Sequence, residues 1–79
     1  MSAKKLTQEE KVLLTIFQTP GHADVMTIAR HLGLSDKSCR HAIHLLLHGN
    51  FIKKVDADTV QITEHGKKTC YRIRELPPI

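Results

Sequence analysis

Ile28-Ala29-Arg30-His31-Leu32-Gly33-Leu34-Ser35-Asp36-Lys37-Ser38-Cys39-Arg40-His41-Ala42-Ile43 reads as two helical faces joined by a tight turn. On the N-terminal side, Val25, Ile28, Ala29 and Leu32 recur at helical spacing behind Asp24, whose carboxylate can accept from the open N–H groups of a first turn. Gly33 stops that helix, because a left-handed residue costs glycine least. Ser35 then serves as N-cap of a second helix over residues 36–48, which Gly49-Asn50 closes in the same way. Ala29 is small enough for the two helices to approach closely, and Ile28, Leu32, Leu34, Cys39 and Ala42 fill the interior that they share.

Upstream, Thr7-Gln8-Glu9-Glu10 has capping-box spacing. Val12, Leu13, Ile16 and Phe17 follow at helical spacing, and Pro20-Gly21 stops the segment, so a helix is expected over residues 8–18. Downstream the period changes. Phe51-Ile52-Lys53-Lys54-Val55 is expected as a strand, Asp56-Ala57-Asp58 as a turn, and Thr59 to Thr63 as an alternating, half-buried strand. His65-Gly66 can form a two-residue turn into a third strand over Lys68 to Arg74, with Tyr71 and Ile73 inward and Val60 across from Tyr71. The rival arrangement makes Thr63 the N-cap of a short helix through Lys68. The hairpin is the favoured of the two. The exposed hairpin tip is then either His65-Gly66, flanked by Lys67 and Lys68, or the acidic Asp56-Ala57-Asp58.

Helix, helix, tight turn, helix and hairpin, with Leu46-Leu47-x-Gly49-x-Phe51-Ile52 at the junction, resemble winged helix-turn-helix regulators of the MarR type or the small phage and fimbrial type. The resemblance covers about residues 7–74. It implies an α+β fold of three helices followed by a β-hairpin or short antiparallel meander, with a domain over 7–75, a flexible N-terminus over 1–6 and a tail over 76–79. It also implies sequence-specific binding of double-stranded DNA by a small transcriptional regulator. Helix 36–48 would enter the major groove and a basic wing would lie on the backbone. MarR-type subunits pair through long terminal helices that have no counterpart here, so monomer, homodimer and a larger protein partner stay open.

The face of helix 36–48 agrees with that implication. At about 100° per residue, Cys39, Ala42, Ile43, Leu46 and Leu47 form one apolar arc. The opposite pole carries Lys37, His41, His44 and His48 and no acid, with Arg40 and Ser38 on its flanks and Leu45 outside the arc. Lys37, Ser38, Arg40, His41 and His44 are therefore the candidate DNA-contacting side chains of the helix. Arg40 is the candidate for a two-acceptor guanine contact, and Lys37 for a phosphate. Lys53, Lys54, Lys67 and Lys68 are the candidate wing contacts. Any surface helix needs a polar outer face. The case for DNA rests on the basic helix and the basic hairpin occurring together.

Charge and size narrow the classes. The chain has 79 residues and a formal charge of +4, with 12 Lys and Arg against 8 Asp and Glu. Residues 1–36 balance, so the whole excess lies beyond residue 36, which suggests a polyanionic partner, with a solubility bias as the alternative. One small core is expected, aliphatic because only 4% of residues are aromatic. No apolar run approaches the roughly 20 residues of a membrane span, and Met1 to Lys5 lacks a signal-peptide core, which points to a cytoplasmic location. No phosphate loop or nucleophile motif appears, so an enzyme is not expected, and no cofactor is implied. His44 and His48 share i, i+4 spacing, but no further ligand is evidently placed for a tetrahedral metal site. Histidines beside phosphates favour imidazolium, so DNA binding should tighten at lower pH. Cys39 is expected buried and inert, and Cys70 outward on its strand. The rival functions are a winged-helix protein-interaction module and a phage-type DNA excision or replication accessory factor.

Overall fold

The structure, a computed structural model, describes residues 6–19 and 21–74. The expected stop at Pro20, most of the expected N-terminal segment and the tail over 76–79 lie outside the described residues. Helix α1 runs Gln8–Gln18, strand β1 Ala23–Asp24, helix α2 Val25–Leu32 and helix α3 Asp36–His48. Strands β2 (Ile52–Asp56) and β3 (Thr59–Ile62) form the hairpin, and helix α4 covers Glu64–Arg74.

Each of the first three helices starts where a side chain satisfies an open backbone N–H. Thr7 and Glu10 form the reciprocal capping box of α1, with the Thr7 N–H donating to Glu10 Oε1 at 2.8 Å. The Asp24 carboxylate accepts from the Thr27 N–H, and the Ser35 hydroxyl from the Ser38 N–H, both at 3.1 Å. Gly33 is left-handed, and Leu34 N–H reaches back to the Ala29 carbonyl, the Schellman pattern that ends α2. The end of α3 repeats that pattern at the second residue of the expected Gly49-Asn50 stop. Asn50, with φ of 63°, takes the left-handed position, and Phe51 N–H donates to the Leu46 carbonyl. Gly49 has an ordinary φ of −85°; its lack of a side chain makes room for the Phe51 ring instead.

The sheet order is β1-β3-β2, antiparallel throughout, with Ala23 opposite Val60 and Ile52 opposite Ile62. Two-residue β1 carries too little alternation to be seen in sequence. Val55 is bulged out between the pairs Lys54–Val60 and Asp56–Thr59. The core is aliphatic, as the composition implies. Val12, Leu13 and Ile16 of α1 meet Ile28 of α2, Cys39, Ala42 and Leu46 of α3, and Ile52 and Val60 of the sheet.

The segment after β3 is a helix and not a third hairpin strand, so the rival arrangement holds and extends beyond Lys68 to Arg74. The Thr63 hydroxyl accepts from the Gly66 N–H at 3.1 Å, and the Thr63 carbonyl accepts from Lys67 N–H, a helix start built on Thr63. Val60 accordingly faces Ala23 and Lys54, not Tyr71. Tyr71 meets Phe17 of α1 edge-on, ring centroids 5.5 Å apart. Gly66, expected as a turn residue, is buried in α4. A Cβ there would collide with the Phe51 carbonyl oxygen, so its role is close packing of α4 on the start of the hairpin. Alternation misled because Gly66, Cys70 and Ile73 also fit one helical face.

Candidate nucleic-acid interface

Three elements, α3, β2 and α4, carry the candidate basic residues. The α3 helix buries Cys39, Ala42, Ile43 and Leu46 against the core, which turns Lys37, His41, His44 and His48 to solvent. Its first turn is tied down from behind: Gln8 Nε2 of α1 donates to the Ser38 carbonyl at 3.1 Å. Ser38 is half-buried, while Lys37, Arg40, His41 and His44 are exposed. The outward pole expected from the sequence is therefore present on a rigidly anchored helix.

Between α3 and the hairpin runs an open groove of about 170 Å³, floored by Ile43, Leu47 and Val60 and rimmed by Arg40, His44 and Lys54. It is smaller than the roughly 300 Å³ of a small-molecule pocket. Three candidates from two stretches of the chain, Arg40 and His44 of α3 and Lys54 of β2, thus share one concave surface. Lys53 pairs across the sheet with Gln61, one position from the Lys54–Val60 pair, so it points to the other side of the strand.

Lys67 and Lys68 do not flank the wing tip. Both lie on α4, where Lys67 sits 3.7 Å from Glu64 and lines a different cleft with Phe17 and Gln61. The tip is Ala57-Asp58, following Asp56, so the acidic alternative is the observed one.

That tip holds Arg40. Arg40 Nη2 donates to Asp58 Oδ1 at 3.1 Å, and Arg40 Nε donates to the Asp36 carboxylate at 3.1 Å. The hydrogen bond to Asp58, followed by that to Asp36, raises the guanidinium pKa above its ordinary value. The Asp36–Arg40 pair is legible as i, i+4 spacing. The Asp58 contact depends on the hairpin's geometry and has no local sequence signal. Asp58 is itself located by its backbone, since its carbonyl accepts from Val25 N–H at 2.9 Å.

Among the described residues, no group of three or more His, Cys, Asp and Glu is positioned to hold a metal ion. Cys39 and Cys70 are both fully buried. Their thiols approach the Val25 and Leu13 carbonyls at 3.7 and 3.9 Å. The outward position expected for Cys70 is overturned because α4, unlike a strand, turns it into the core. Burial first, and the Asp36 carboxylate second, push the Cys39 pKa up, against a smaller opposing effect of Arg40. No helix of the described residues is long and apolar enough to cross a membrane.

No protein-family model matches the chain, and no curated protein matches it. Among solved structures, the crystal structure of T. acidophilum IdeR is similar with a TM-score of 0.68 and 22% identity. The match covers 87% of this chain and 33% of that one, so the chain spans about a third of that protein's length. At this identity the likeness shows the fold, which is the winged helix.

Proposed function

We propose that this winged-helix domain binds double-stranded DNA and serves as the DNA-binding head of a small transcriptional regulator. The observation that carries this is the exposed pole of α3, with Lys37, His41, His44 and His48 and no acid, anchored beside the Arg40–His44–Lys54 groove. A helix of this shape fits the major groove, where its first turns face base edges. With α3 seated there, the DNA backbone that borders the major groove would pass beside the hairpin. Lys54 then meets phosphate, and the apolar floor meets sugar. The fold is one that DNA-binding regulators use. The wing in this account is narrower than the sequence suggests: Lys54 acts, the acidic tip does not follow phosphate, and Lys67 and Lys68 stand apart.

Fluorescence anisotropy with a labelled random-sequence duplex tests the proposal. Binding at about 50 mM salt that falls steeply with added salt is expected, since each neutralised phosphate releases counterion. No binding at that salt would favour the protein-interaction module.

A further inference from the structure

We propose that Asp58, together with Asp36, is a specificity-determining positioning residue that makes Arg40 a reader of base edges instead of a phosphate contact. This rests on the proposed DNA-binding function and adds to it the reason for an acidic wing tip.

Arg40 has five N–H donors. Asp36 engages Nε, and Asp58 engages one N–H of Nη2. Both N–H groups of Nη1 and the second of Nη2 are left, more than the two that a guanine edge requires. Two carboxylates around one guanidinium give the cluster a net charge of −1, so the cluster does not attract the phosphate chain. Its directional donors survive while its unspecific Coulomb attraction is cancelled. The guanidinium is also held from two directions: Asp36 lies one turn before it on α3, and Asp58 reaches it from the hairpin. Because the Asp58 carbonyl is fixed by Val25 N–H, the wing tip acts as a rigid brace and not a loose counter-ion.

Stability gives no competing reason for the arrangement. The Arg40, Asp36 and Asp58 side chains are 48%, 59% and 55% exposed, and ion pairs this open contribute little to folding. The nearby cations without a carboxylate partner at this cluster, Lys54 on the groove rim and exposed Lys37 on the pole, would supply the sequence-independent attraction to phosphate instead.

Affinities of wild type, Asp58→Asn and Arg40→Lys are measured by anisotropy on two duplexes over a range of salt. One duplex is selected by the protein from a random library, and the other is a random sequence of equal length. Asp58→Asn frees Arg40 and removes a negative charge. Its affinity for the random duplex should rise about threefold to tenfold, with a salt slope steeper by about one phosphate contact. Its preference for the selected duplex should fall about tenfold, within the range of one bidentate base contact. Arg40→Lys keeps the charge but loses the fork, and should lose preference without gaining the steeper slope. Unchanged preference in both variants, or an equal loss on both duplexes, overturns the proposal. Should Asp58→Asn fail to fold by circular dichroism, Asp36→Asn is measured in its place with the same expectations. Failure of the wild type to bind either duplex overturns the DNA-binding function itself, an outcome distinct from bound but unselective variants.

Discussion

Gly66 packs against the backbone of Phe51 so closely that a methyl group in place of its hydrogen would overlap the Phe51 carbonyl oxygen. The same neighbourhood is sealed by Thr63, whose N–H donates to that carbonyl at 3.1 Å, and by the His65 ring stacked on Phe51 at 4.7 Å. In an open helix, Gly66→Ala would stabilise by about 1 kcal/mol. Here the contact is backbone, which cannot swing aside, and overpacking of this kind costs about 1–3 kcal/mol. Gly66→Ala is therefore expected to lower the melting temperature by several degrees, measured by calorimetry. An unchanged or raised melting temperature would contradict the packing of α4 on the hairpin start.

Cys39 offers a pH test of the core. Its native thiol holds the proton above the ordinary thiol range, so the native and unfolded states differ only once the unfolded thiol ionises. The contribution is fully present below a pH of about 8.5 and is lost as pH rises from there through the raised native value. Urea unfolding midpoints should accordingly decline above that pH, and less so in Cys39→Ala. The native thiols should also react with a disulfide reagent far more slowly than the urea-unfolded chain. Equal rates would mean that Cys39 and Cys70 are not held in the core.

The histidines of α3 predict which variants weaken the DNA complex. His41 and His44 are exposed on the outward pole, and a ring N–H of each can donate to a phosphate or a base edge. The double variant His41→Ala, His44→Ala should bind a duplex about tenfold more weakly, measured by anisotropy, as the loss of one or two hydrogen bonds implies. Unchanged affinity would rule these histidines out of the interface.

Helices α1, α2 and α3 were legible because caps, periodicity and stop residues agree along the chain. Thr7 with Glu10, Asp24, Ser35 and Gly33 each do locally what their positions suggest. The exposed pole of α3 followed from the same periodicity. The end of the chain was harder. Lys68 to Ile73 alternates well enough for a strand, and Gly66 looks like a turn until its tertiary neighbour Phe51 is known. Local pattern cannot separate these cases when the apolar run is short. The helix removes Lys67 and Lys68 from the hairpin tip and turns Cys70 into the core, where a strand would place them otherwise. The bracing of Arg40 by Asp58 was illegible for a related reason: it is a contact across 18 residues whose geometry the β2–β3 register and the Val55 bulge create.

The most direct test maps which surface meets DNA. Backbone amide shifts of the isotope-labelled domain are followed by NMR as a random or selected duplex is added. The largest changes are expected on residues 36–48 and around Lys54, with residues 64–74 of α4 nearly unmoved. Changes concentrated on α4 around Lys67 and Lys68, with α3 silent, would contradict that placement of the interface.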